Sequence, residues 1–99
     1  MSRVLIVDDH PLVRSGFVQL ISDEPDLEVC GEAANENEAM QLVTTAQPDL
    51  VIVDLFLAGG SGINLIERIK AHCSNVYMLV VSMHDESLFA DRVLAAGAL

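Results

Sequence analysis

The five residues Leu50 to Asp54, LVIVD, set four apolar side chains in a row and then stop at a carboxylate. An apolar run of that length fits a strand covered on both faces, as in a parallel sheet between helices, better than a half-wet strand of alternating polarity. An acid ending such a strand emerges at the rim of the sheet. Two further runs end in polar oxygen, because Val4 to Val7 leads into Asp8 and Asp9, and Val76 to Val81 leads into Ser82. Three strands therefore deliver oxygen atoms toward one edge.

The residues between these strands have a helical period. Pro11, after Asp8, Asp9 and His10, suits the first position of a helix, where a missing N–H leaves nothing unsatisfied. Val13, Phe17, Leu20 and Ile21 form one apolar face, and the polar run from Ser22 to Pro25 ends it. In Leu27 to Ala33, Leu27, Val29, Gly31 and Ala33 alternate with Glu28, Cys30 and Glu32, which predicts an edge strand with one wet face. Asn35 and Glu38 make a capping box before a second helix with the inner stripe Ala39, Met40, Val43 and Ala46, stopped by Gln47 and Pro48. Gly59, Gly60 and Gly62 predict a flexible loop over Leu55 to Gly62. The third helix turns Leu65, Ile66, Ile69 and Cys73 inward and Glu67, Arg68 and Lys70 outward. Asp85 caps a fourth helix with the inner face Leu88, Phe89, Val93 and Ala96, ended by Gly97.

Strand starts near Val4, Leu27, Leu50 and Val76 recur every 23 to 26 residues. Strand–helix alternation of this kind predicts an α/β fold, a doubly wound parallel sheet with right-handed crossovers. With the second strand at the edge, the order is 2-1-3-4. The winding then reverses between Asp8/Asp9 and Asp54, the place where such sheets bind ligands. A fifth strand is due where the chain stops at Leu99, so the expectation is one domain over residues 1–99 with the fifth βα unit missing.

Composition narrows what that edge does. Fifteen acids against five bases give a net charge of −10, which repels nucleic acid and anionic membrane. Direct nucleic-acid binding by this chain is not expected. No apolar run approaches the roughly 20 residues of a membrane span, and Val4 to Val7 is too short for a signal-peptide core. Cys30 and Cys73 lack metal-ligand spacing and fit a reduced, cytoplasmic protein.

Neighbouring strands lie about 4.8 Å apart, so Asp9, Asp54 and Ser82 at three adjacent strand ends fall within reach of one small site. Carboxylates packed that closely repel one another unless a cation intervenes, and oxygen ligands with retained waters suit Mg²⁺ better than zinc. A carboxylate beside such a cation can attack a phosphoryl group while a neighbouring hydroxyl holds one of its oxygens. Asp54, on the central strand, is the best nucleophile. The plainer alternative is that each acid is a turn or capping residue, with Asp9 capping the first helix. Gly59-Gly60-Ser61-Gly62 has no phosphate-loop lysine and does not complete G-x-S-x-G. His10, His72 and His84 are not spaced as zinc ligands, and none is assigned chemistry.

The motifs VLIVDDHPLVRSG (residues 4–16), VIVDL (51–55), VSMHDE (81–86) and AAGA (95–98) resemble the receiver domains of two-component response regulators, of CheY-like fold. They are most similar to the NarL/FixJ type, in which the receiver precedes a DNA-binding output domain that this chain does not include. The resemblance spans the whole chain. It implies that Asp54 accepts a phosphoryl group from a sensor histidine kinase. It also implies Mg²⁺ bound by Asp9 and Asp54, by Asp8 partly through water, and by the backbone carbonyl of Phe56. Ser82 is then the switch hydroxyl, with the Met83 backbone N–H near the phosphoryl group.

Two positions depart from the family pattern. Ala58 stands where a proline is usual. The phosphate-binding lysine of the fifth strand has no counterpart, since Lys70, the single lysine, lies on the outer face of the third helix. Phosphorylation of these 99 residues is therefore expected to be poor, and the uncovered strand 4 is expected to favour a homodimer or exchange of elements. Two other readings stay open. A degenerate receiver would act only as a protein-interaction module. An aspartate-nucleophile phosphatase of haloacid-dehalogenase type needs a second Asp two residues after the nucleophile, where Phe56 stands.

Overall fold

The structure is a computed structural model that describes residues 2–55, 62–73 and 75–81. Along the chain run β1 (Ser2–Val7), α1 (Pro11–Ser22), β2 (Leu27–Ala33), α2 (Glu36–Ala46), β3 (Leu50–Asp54), α3 (Gly62–His72) and β4 (Tyr77–Val81). The fourth helix expected from Asp85 lies outside the described residues. All strand pairs are parallel, and the sheet order is β2-β1-β3-β4, with β2 at an edge as its composition predicts.

Alternation along each central strand sorts the core into two clusters. Leu5 and Val7 of β1, Val51 and Val53 of β3 and Met78 of β4 pack with Ala39 and Val43 of α2 and Leu65, Ile66 and Ile69 of α3. Val4, Ile6 and Ile52, which point the other way, meet Phe17, Val18 and Ile21 of α1. Full burial of a Leu, Ile or Val stabilises by roughly 1.5–3 kcal/mol, so the α2/α3 side, with twelve buried members against three, carries most of the apolar stabilisation among the described residues. Helix α1 has no fully buried residue. Leu20, expected to face inward, is 64% exposed, because Val18 takes its place in the stripe.

Strand β2 also departs from simple alternation. Val4 pairs with Val29 but Leu5 pairs with Gly31, so Cys30 is an extra residue in the strand. The irregularity flips the pattern: Leu27 and Val29 pack on the α1 side, whereas Cys30 and Ala33 join the α2/α3 cluster. The strand accordingly has no single wet face. Both cysteines are free.

Helix α2 begins as its sequence requires, with Asn35 Oδ1 accepting the Glu38 N–H at 2.9 Å. The returning Glu38 carboxylate accepts the N–H of Ala34, one residue beyond the usual capping-box partner. The helix ends at Gln47, whose φ of 50° is the left-handed turn that precedes Pro48. Helices α2 and α3 are tied through Glu36, which accepts hydrogen bonds from Asn64 Nδ2 at 3.0 and 3.1 Å and from Arg68 Nη1. Burial pushes the Glu36 carboxyl up, but the bonds from Arg68 and Asn64 outweigh it and leave the group below its ordinary value.

Gly62 opens α3 directly against the end of β3. A Cβ here would lie 2.5 Å from the Asp54 carbonyl oxygen and 2.7 Å from Leu55 Cα, both backbone atoms that cannot swing aside. Gly62 is thus a close-contact glycine at a helix start, where the sequence suggested only loop flexibility. Leu55, placed in the same loop, is 4% exposed and belongs to the core.

Two stability predictions follow from these contacts. Gly62→Ala forces α3 away from β3, and urea unfolding should show a loss of about 1–3 kcal/mol with an unchanged denaturant slope. Because the Glu36 carboxyl is held low in the folded state, its contribution is complete above the ordinary carboxylate range and disappears as pH falls through the folded value. Glu36→Gln should therefore destabilise by roughly 0.5–1 kcal/mol near neutral pH, and the gap to the parent in thermal melts should close in acid.

Candidate functional site

Parallel pairing of β1 with β3 runs from Val4 opposite Leu50 to Val7 opposite Val53. Asp8 and Asp54, the next residue of each strand, consequently leave the sheet side by side. Both are buried, at 1% and 2% exposure, and they are the two fully buried charged residues among the described ones. The Asp8 backbone is fixed from two sides: its N–H donates to the Ala33 carbonyl of β2 at 2.9 Å, and its carbonyl accepts from Arg14 Nη1 at 2.6 Å. Arg14 is held in turn by Glu32, 3.2 Å from its Nε.

Asp9 does not cap α1. The N-cap position is His10, which makes no side-chain cap, and Pro11 stands at the first helical position as expected. Asp8 Oδ1 accepts the His10 backbone N–H at 2.8 Å, an Asx-type turn that brings the His10 ring back over the acids. His10 Nδ1 lies 3.1 Å from Asp8 Oδ1, 3.0 Å from Asp9 Oδ1 and 3.6 Å from Asp54 Oδ2. The Asp9 contact is an ion-pair distance without hydrogen-bond alignment. The hydrogen bond to Asp8 and then the charge of Asp9 raise the His10 pKa above its ordinary value, so these acids favour the imidazolium.

One donor atom each from Asp8, Asp9, His10 and Asp54 fall within 4.8 Å of one another, the spacing of ligands around one metal ion. Asp8 Oδ2 is buried with no hydrogen-bond partner among the described residues, an orphaned acceptor of the kind a cation satisfies. Three carboxylates with one such oxygen fit a hard divalent cation such as Mg²⁺.

Asp8, Asp9 and Asp54 thus converge as expected. Ser82, Met83 and Phe56 lie outside the described residues, although Val81, which precedes Ser82, is the pairing partner of Asp54. Two residues of the site were not assigned from sequence. His10 follows an acid pair and precedes a helix-starting proline, so the turn leaves it no route off the rim. Arg14 is one turn into that helix, where a long side chain reaches back over the strand end. Position relative to Pro11 was the available signal for both.

Residues 4–99 match the family of response regulator receiver domains. The chain is 36% identical over 89 residues to the nitrate/nitrite response regulator protein NarL of Escherichia coli (strain K12), covering 88% of this chain and 41% of NarL. A solved LuxR-family two-component response regulator from Aurantimonas sp. SI85-9A1 superposes with a TM-score of 0.91 at 39% identity, over 99% of this chain and 70% of that one. The isolated REC domain of RcsB from Salmonella enterica serovar Typhimurium, solved in the presence of phosphomimetic BeF3−, gives 0.89 at 27% identity, over 98% and 72%. The chain spans about half the length, or less, of the curated relatives it matches, 41% to 47%. With a β2-β1-β3-β4 parallel sheet and an acidic cluster where its winding reverses, the chain belongs to the response regulator receiver domains of two-component phosphorelay signalling.

Proposed function

We propose that Asp54 is the phosphoacceptor of this receiver and that the phosphoryl group comes from a sensor histidine kinase. The observation that carries this reading is the placement of Asp54: a carboxylate 2% exposed, at the end of the central strand, with donor atoms of Asp8, Asp9 and His10 in the same 4.8 Å cluster. In the transfer, an Asp54 carboxylate oxygen forms a bond to phosphorus as the phosphohistidine P–N bond breaks. That electron pair returns to the donor imidazole, and Asp54 is left as an acyl phosphate.

Asp8, Asp9 and Asp54, with the Phe56 backbone carbonyl, would hold Mg²⁺, which when bound offsets charge on the carboxylates and on the transferring group. Asp8 is kept in place by Arg14 and by the β2 backbone, which supports a carboxylate already positioned when the phosphoryl group arrives. Ser82 and the Met83 N–H would receive the phosphoryl oxygens. The domain assists its own phosphorylation and hydrolysis by this arrangement and has no separate substrate to turn over. Residues 1–99 form the receiver unit in this reading, working in the cytoplasm and controlling a DNA-binding output as in NarL-type regulators. A second copy docks along β4, where Tyr77 and Leu79 are 61% and 43% exposed at the edge of the described sheet.

Incubation with acetyl phosphate and Mg²⁺ should add one phosphoryl mass to the intact protein, slowly if no lysine reaches the site. Chelation or Asp54→Asn should abolish it. No mass gain in the parent, or an equal gain in Asp54→Asn, would remove Asp54 as acceptor and favour the interaction-module reading. Light scattering should find dimer at high protein concentration, and monomer throughout would exclude docking along β4.

A further inference from the structure

Asp8 and Asp9 are consecutive, and consecutive residues of an extended strand send their side chains to opposite faces. These two acids instead converge, because one carboxylate oxygen of each falls within the same 4.8 Å cluster as Asp54. The peptide between them has to leave the strand conformation, and the chain does bend at Asp9. A peptide unit is planar, so whatever holds its carbonyl also sets the direction in which the next residue departs. The carbonyl in question belongs to Asp8, and it accepts a 2.6 Å hydrogen bond from Arg14 Nη1. Arg14 is braced in its turn. Glu32 Oε1 lies 3.2 Å from its Nε, and the Arg14 side chain is only 21% exposed. Glu32 directly precedes Ala33, whose carbonyl accepts the Asp8 N–H. Asp8, Ala33, Glu32 and Arg14 thus close a ring of contacts that joins the ends of β1 and β2 to the start of α1. An exposed ion pair alone contributes little, but here the planar guanidinium spans a carboxylate and a main-chain carbonyl, which a point charge such as lysine cannot do in the same way.

We propose that Arg14 is a positioning residue: by gripping the Asp8–Asp9 peptide, with Glu32 as its brace, it turns two consecutive acids onto one centre. It touches neither the ion nor the phosphoryl group and acts only through the main chain. The inference rests on the reading above for what the acids hold, and it concerns how they are aimed. Its consequence has a sign that charge alone would not give. Removing a cation from beside three carboxylates should, by electrostatics, make a bound Mg²⁺ more favourable. Loss of aim makes it less favourable, because Asp9 is freed to depart along the strand direction.

The test uses the full 99-residue chain without phosphodonor. In Arg14→Met, with folding checked by circular dichroism, calorimetric titration should find Mg²⁺ bound on the order of tenfold more weakly than in the parent, the usual cost of losing an outer-shell partner. In the metal-free protein, the amide ¹⁵N resonance of Asp9, across the gripped peptide, should move. Ile21→Val serves as the control, since Ile21 loosens the packing of α1 without touching the ring of contacts, and it should leave both readouts as in the parent. Should Arg14→Met not fold, Glu32→Gln removes the brace alone and should move the Asp9 resonance in metal-free protein. No Mg²⁺ binding in the parent, unchanged or tighter binding in Arg14→Met, an unmoved Asp9 resonance, or equal weakening in Ile21→Val would overturn the proposal. A parent that shows the expected differences but takes no phosphoryl group from acetyl phosphate would overturn the phosphoacceptor reading and leave this one standing.

Discussion

The parallel pairing of β1 with β3 is the constraint on which the rest of the molecule depends. It skips β2 in the chain order and sets Val7 opposite Val53, so that two strands buried on both faces end together in acids. Apolar burial drives the pairing, and the electrostatic consequence comes with it. Asp8 and Asp54 are forced into proximity at a place where neither is solvated, and the surroundings must supply positive charge or donors. Arg14 anchors the Asp8 backbone, and His10 faces all three carboxylates.

Support for that edge is uneven in a way that suits a switch. Most of the buried apolar surface lies on the α2/α3 side, where Leu65, Ile66 and Ile69 meet β1, β3 and β4. Glu36, Asn64 and Arg68 tie those two helices at their surface. Gly62 lets α3 begin in van der Waals contact with the backbone of Asp54 and Leu55. The carboxylate at the end of β3 is thereby set directly against the more fully buried layer. Helix α1, with no fully buried residue, is the less anchored element and carries Arg14 to the site.

Much of this was legible in the chain. LVIVD announced a strand covered on both faces, Pro11 and the Asn35–Glu38 pair fixed two helix starts, and the acids after Val7 and Val53 marked the acidic edge of the sheet. The errors share a cause. Period places Leu20 inward, but four apolar residues of α1 compete for a stripe with room for Phe17, Val18 and Ile21, and Leu20 is the one left in solvent. Strict alternation in β2 failed because Cys30 is inserted against β1, which is a property of the pair and not of either strand. Gly62 looked like loop flexibility because the backbone it must clear lies on another element.

By itself the sequence determined local conformation and the polarity of each strand end, since apolar periodicity, capping chemistry and the restrictions of proline act within a few residues. The doubly wound order was also within reach, because a less apolar strand sits at the edge. Only the tertiary structure decided which atoms share one space: His10 among the carboxylates, Arg14 on the Asp8 carbonyl, and α3 against Asp54. Those contacts join residues through turns and strand registers, and small changes in either redirect a side chain by several ångströms. A pattern along one dimension places acids at an edge, and packing in three fixes what stands between them.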